Sequence, residues 1–433
     1  MSILRPTPLC LLLCFTLTLA WGARADTVEG AIEDVSSKAN TLRLEVGGRC
    51  HLVLFGPQTD FVNASGVKDL ALPDRVRVEH TPGRPAERIT RLVVPLPPGA
   101  EMSLEELEWL RGEDAPFLVV DARPREAYEQ GHIPGAASLS ADDPGKGLAQ
   151  LAPDRDLPLV LYGDGPTCVH AGRSVDAALA AGYTEVKAFQ GGIPAWRKAG
   201  KPVVSTPEWL AARLDPHHVV IDVRPAGEVA AGHIRGAVSL EAAAFPAMTR
   251  RFIAEKAVAR LPGVSDLAAP IVVYGNGDGG EDVLTAFAEL KKYRYRNATI
   301  LAGGFREWTA RGLPTAVGEA PTRFSYAKKL KEGAISREEF ARLAANPEAV
   351  LFLDVRDDAE AAGGVLKGAT HLPLDRLQAS LASLPKDRPI VAYCTNGPRS
   401  EMAYHFLKKN GYEQVRYLCD SITVRSDGSY AFE

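Results

Sequence analysis

Cys394 ends an apolar run, Ile390-Val391-Ala392-Tyr393, and opens the segment Cys394-Thr395-Asn396-Gly397-Pro398-Arg399-Ser400. Glu401 to Asn410 then reads as a helix. A strand that stops at a cysteine, a short Gly-Pro turn and a helix start together make an anion cradle. The loop folds back so that its backbone N–H groups point inward, beside the positive end of the helix. Such a cradle favours thiolate, the nucleophilic form of cysteine. Cys394 is therefore the candidate nucleophile. Thr395, Asn396, Gly397, Pro398 and Ser400 are the candidate substrate-binding residues, and Arg399 places a cation at the helix start. The plainer account, a small inert core cysteine, leaves Gly397, Arg399 and the helix start at that spacing without a purpose.

The elements that must hold this loop occur three times. An apolar strand ending in Asp-x-Arg appears at Phe117 to Arg123, Val219 to Arg224 and Val350 to Arg356. A second apolar strand ending in Tyr follows at Leu159 to Tyr162, Ile271 to Tyr274 and Ile390 to Tyr393. Each is followed by a Gly-containing turn and an amphipathic helix. Two copies also carry a histidine turn, Gly131-His132-Ile133-Pro134-Gly135-Ala136 and Gly232-His233-Ile234-Arg235-Gly236-Ala237. The same two close on Gly191-Gly192 before Trp196 and on Gly303-Gly304 before Trp308. Continuous apolar strands alternating with helices predict an α/β fold with a parallel sheet covered on both faces. Ligands on such sheets bind where strand C-termini meet helix N-termini, which is where each turn after Tyr lies.

At these motifs the chain resembles the rhodanese family of sulfurtransferases. The resemblance covers roughly residues 101 to 433 and implies three rhodanese-like domains, at 101–202, 203–317 and 330–433. It also implies a thiosulfate sulfurtransferase-like activity with no cofactor. Cys394 would take sulfane sulfur from a small donor, carry it as a persulfide and give it to a thiol or cyanide. Cys-x4-Arg is the loop length this family uses for sulfur donors, whereas the related phosphatases use Cys-x5-Arg. Arg399 would either orient the anionic donor or brace the loop through Asp354. A non-enzymatic reading stays open: a multi-domain binding protein, or a thiol-redox or sulfur-delivery partner.

The copies differ at the loop. In the second, Gly275 stands where Cys394 stands, and Asp278, Glu281 and Asp282 surround it, so thiol chemistry is excluded there. In the first, Gly163 follows the strand, but Cys168 to Ser174 repeats the Cys-x4-Arg-Ser spacing five residues later. Cys168 is expected toward the rim of its loop. It is either part of an inactive copy or an accessory thiol beside His170, since some rhodanese-like loops carry a second cysteine. Cys419 ends the predicted strand Gln414 to Cys419. It is either a buried strand-end residue or a thiol that resolves Cys394 as a disulfide. The third copy lacks the histidine turn and the Trp-containing end. His132 and His233 are expected to bond turn backbone, and no metal-ligand spacing is evident.

Composition narrows the setting. The chain carries 50 Lys and Arg against 54 Asp and Glu, and the first 25 residues hold Arg5, Arg24 and no acid, leaving 48 against 54. That balance argues against nucleic acid as a partner. Residues 1–25 read as a signal peptide: Arg5, an apolar stretch from Leu9 to Gly22, and Ala23-Arg24-Ala25. The expectation is an exported, periplasmic protein with no membrane insertion after cleavage. Its remaining cysteines, Cys50, Cys168, Cys394 and Cys419, are too few for a disulfide scaffold. Residues 26–98 show short strands, the hairpin signal Gly47-Gly48 and no helix, and predict a small all-β barrel-like domain.

Overall fold

The computed structural model describes residues 26–81, 84–113, 115–139 and 143–432. The proposed signal peptide lies outside the described residues. Six strands make the N-terminal domain: β1 Asp26–Ser36, β2 Thr41–Val46, β3 Arg49–Leu54, β4 Asp60–Val62, β5 Arg75–His80 and β6 Arg88–Arg91. They form one mostly antiparallel sheet in the order β3-β2-β1-β5-β6-β4. Gly47 and Gly48, both at positive φ, turn β2 into β3, and Val46 pairs with Arg49. The sheet curves over Ile32, Leu42, Leu44, Val76, Val78 and Ile89. Its edges β3 and β4 do not pair with each other. The reason is visible on β3: Cys50 and Leu52 are buried in the core of the third copy, with Met402, Phe406 and Leu407. An edge strand covered by a helix needs no strand partner.

The three copies share one topology. Each is a five-stranded parallel sheet in which the Asp-x-Arg strand and the strand ending in Tyr lie side by side near the centre. In the third copy the order is Ala334–Ile335, Val415–Leu418, Ile390–Tyr393, Leu351–Asp354, Thr370–His371. Ile390–Tyr393 is buried at every residue, as a strand covered on both faces must be. Ile390 and Ala392 face the helix Pro398–Lys409, and Val391 and Tyr393 face Phe340 and Phe352. Burying each such side chain contributes about 1.5–3 kcal/mol, which fixes the strand ends from which the loops spring.

The third copy closes differently from the others. Where the first two have helices at Gly192–Lys198 and Gly304–Ala310, it has a hairpin, Ile422–Val424 paired with Tyr430–Phe432. Tyr430 and Phe432 pack edge-on to Phe340.

Candidate functional site

Cys394 leaves the strand with no exposed surface. The chain turns through Thr395 and Asn396 to Gly397, which has φ of 100°. A side chain there would place its Cβ 2.7 Å from the Cys419 carbonyl oxygen, so only glycine fits. The turn brings the Gly397 N–H to 3.2 Å from Cys394 Sγ. Pro398 starts the helix, where its missing N–H costs nothing. Ser400 Oγ sits 3.7 Å from the sulfur and donates to the carbonyls of Gly397 and Leu418, at 2.7 and 2.8 Å. Asn396 and Pro398 face outward, onto a cavity of about 660 Å³ between the copies.

Arg399 is held by a carboxylate beside the loop. Its guanidinium, 3% exposed, makes two bonds to the Glu360 carboxylate at 2.6 and 2.9 Å, and a longer one to Thr395 Oγ1. Burial opposes its charge, but Glu360, with Cys394 adding attraction, raises it above the ordinary value. Burial likewise opposes ionisation of Glu360, and hydrogen bonds from Arg399, Lys38, Thr395 and Asp357 overcome it, holding the carboxyl well below its usual range. Thr395 Oγ1 donates to the same carboxylate at 2.6 Å. Lys38, from the turn between β1 and β2, also pairs with it.

This corrects one expectation. Asp354 does not brace Arg399. It accepts from Arg356 Nε at 2.9 Å and from Tyr393 Oη at 2.9 Å, wholly buried. The same arrangement, Asp121 with Arg123 and Tyr162, and Asp222 with Arg224 and Tyr274, stands under the other two loops. Asp354 is thus a repeated structural pair, and Glu360 is the bracing acid that sequence reasoning missed. Its signal was present: Asp357 and Glu360 form a reciprocal capping box at the start of the next helix. Lys38 carried no signal, since 322 positions separate it from its partner.

Cys419 lies one residue past Val415–Leu418 and lines the interdomain cavity. Burial raises its pKa against the pull of Lys328, which also donates to its carbonyl at 2.8 Å. Cys168 is half-buried. It caps the helix Val169–Ala180, and its N–H turns back to the Gly165 carbonyl. Its Sγ comes within 2.4 Å of where a Cβ on Gly163 would stand, so the sulfur fills the space of the missing nucleophile. In the second copy the Asp282 carboxylate takes that place, 2.7 Å from the corresponding point on Gly275. His132 and His233 contact the carbonyls of Tyr128 and Val229 through Nδ1. No group of three or more His, Cys, Asp or Glu among the described residues is placed to hold a metal.

The sequence profile of the rhodanese-like domain matches residues 103–199, 206–311 and 336–424. The chain belongs to the rhodanese-like family. It is similar to a sulfurtransferase of Allochromatium vinosum, 37% identical over 84 residues, which are 19% of this chain and 78% of that one. It is also similar to an HTH-type transcriptional regulator of Mycobacterium tuberculosis, 41% identical over 104 residues, 24% of this chain and 45% of the regulator. This chain spans less than half of that regulator. A solved thiosulfate sulfurtransferase from Pseudomonas aeruginosa is 20% identical, covering 74% of this chain and 66% of its own, with a TM-score of 0.23.

Proposed function

We propose that this rhodanese-like chain is an exported sulfurtransferase that moves sulfane sulfur from thiosulfate or a similar donor to a thiol or cyanide through Cys394. The observation that carries the reading is the Gly397 N–H aimed at Cys394 Sγ from a glycine-dependent loop at a helix start. In the first half-reaction the Cys394 thiolate attacks the outer sulfur of thiosulfate. The S–S bond of the donor breaks and sulfite leaves with the electron pair. The terminal sulfur of the resulting persulfide carries the charge, and the Gly397 N–H, 3.2 Å from Cys394 Sγ, stabilises it without reorganisation. In the second half-reaction cyanide attacks that terminal sulfur, thiocyanate departs, and Cys394 returns as thiolate. Arg399 acts as a positioning residue: with Glu360 and Thr395 it fixes the loop rather than meeting the donor directly.

One observation favours a second reading. Cys394 has no exposed surface, while Asn396 and Pro398 face the interdomain cavity. A partner protein that reshapes the loop would then be the natural recipient of the sulfur. Thiocyanate formation by the chain without residues 1–25, compared with Cys394→Ala, separates the two. Turnover, together with a gain of one sulfur by intact mass, both lost in the variant, supports the enzyme. A folded, reduced sample that neither turns over nor gains sulfur rejects it.

A further inference from the structure

The third copy holds a second thiol in register with the nucleophile. Strand Ile390–Tyr393 pairs in parallel with Val415–Leu418, matching Ile390 to Val415, Val391 to Arg416 and Ala392 to Tyr417. Two further steps of that register set Cys394 opposite Cys419. Side chains alternate between the faces of a sheet. Ile390, Ala392 and Cys394 go to the same core as Val415, Tyr417 and Cys419, under the helix Pro398–Lys409. Val391, Tyr393 and Leu418 go to the other. The two cysteines are therefore lateral neighbours on one face. Adjacent strands lie about 4.8 Å apart, within the Cα separation of about 4.4–6.8 Å that a disulfide requires.

The backbone stays together past the ends of the strands. Ile422 N–H donates to the Thr395 carbonyl at 3.0 Å. Ser400 Oγ lies 3.7 Å from Cys394 Sγ and bonds the carbonyl of Leu418, the residue before Cys419. Gly397 packs against the Cys419 backbone. Both cysteines are free thiols. The other copies have no such pair: the same register sets Gly163 against Gln190 and Gly275 against Ala302. Cys419 also lines the interdomain cavity, whereas Cys394 does not.

We propose that Cys419 is an internal acceptor that converts the persulfide of Cys394 into a Cys394–Cys419 disulfide with release of sulfide. The step rests on the persulfide reading above. The Cys419 thiol passes its proton to the charged terminal sulfur and attacks Sγ of Cys394 as thiolate, the bond between that sulfur and the terminal sulfur breaks, and the terminal sulfur leaves as HS⁻. The two thiols supply the two electrons that reduce sulfane sulfur to sulfide. A dithiol reductant, reaching Cys419 from the cavity, restores the thiols and becomes a disulfide itself. The net activity is reduction of a sulfane-sulfur donor by a dithiol, with thiosulfate giving sulfite and sulfide.

The test uses the reduced full chain under anaerobic conditions with thiosulfate, beside Cys419→Ser. Sulfite, sulfide, intact mass and the disulfide map are read on each. The wild type is expected to release sulfite and about one sulfide per chain, to form the Cys394–Cys419 disulfide, and to resume only when dithiothreitol is added. Cys419→Ser is expected to release sulfite, gain one sulfur at Cys394 and keep it, with sulfide release at least about tenfold lower. A wild-type persulfide that lasts as long as the variant's, or sulfide released with no Cys394–Cys419 disulfide, overturns the proposal and leaves the transfer reading standing. Absence of both sulfite and added sulfur in both proteins overturns the two together.

Discussion

Glu360→Gln is the sharpest probe of the loop, because it tests whether Arg399 is held or free. In the native chain Arg399 is 3% exposed and Glu360 16% exposed, with two bonds between them. Removing one partner of a buried pair costs about 3–5 kcal/mol, since the other charge is left without compensation. Two features here reduce that figure. Asp357 stays 3.7 Å from Arg399, and glutamine keeps one uncharged acceptor in place of two charged ones. The expected cost is about 2 kcal/mol for Glu360→Gln and about 3 kcal/mol for Glu360→Ala. With a urea dependence of about 1.5 kcal/mol per molar, the midpoints fall by about 1.3 M and about 2 M. A chain of several domains needs a local probe. Cys50 provides one, since it is 4% exposed in the core of the third copy and takes no part in the sulfur chemistry. Pulsed alkylation of Cys50 against urea, read by peptide mapping, reports the opening of that core. Tryptophan fluorescence reports only the others, because none of the five tryptophans lies beyond Trp308. The variants should move the alkylation midpoint and leave the fluorescence transition in place. An alkylation midpoint within about 0.3 M of wild type would refute the bracing argument.

Two further outcomes follow from the same geometry. Gly397→Ala forces a Cβ to 2.7 Å from the Cys419 carbonyl at positive φ, and so shifts the N–H that meets Cys394. Loss of one preorganised donor should lower thiocyanate turnover about 10²-fold, and an unchanged rate would show that this amide does not act on the sulfur. Acid should loosen the third copy. The carboxyls of Glu360, held low, and Glu401, near about 2, contribute stability above the ordinary carboxylate range and lose it as the pH falls toward their folded values. Urea midpoints followed by circular dichroism should be flat from about pH 7 to about pH 5 and fall below that, less steeply in Glu360→Gln.

Much of this was legible in the sequence because it is local or repeated. The strand ending in Tyr, the turn and the helix start are contiguous, and three copies of the Asp-x-Arg strand expose the repeated parallel sheet. The N-terminal strands at Thr41–Val46 and Arg49–Leu54 follow from alternation and a Gly-Gly turn. What stayed hidden depends on surfaces meeting across long stretches of chain. Glu360 carries the mark of a helix cap, and only the fold reveals that the same carboxylate faces Arg399. Lys38 lies in a turn with no motif. Cys50 reads as one more strand residue, yet it is buried with the helix that starts at the Cys394 loop. The displacement of Cys168 by five residues suggested an outward position. The turn through Gly165 leaves Cys168 half-buried and brings its sulfur back against Gly163, because a loop that bends back brings distant positions into one volume.

That shared volume constrains how these loops could change over time. Beneath each turn one side chain occupies the same pocket of space: Cys394 in the third copy, Cys168 in the first, the carboxylate of Asp282 in the second. Converting Gly163 or Gly275 to cysteine alone would overlay two groups in a space built for one. Shrinking Cys168 or Asp282 first would leave a hole under the loop. Either order passes through a misfit intermediate, so the two positions are epistatic. Placing a cysteine at either glycine therefore takes paired substitutions rather than one.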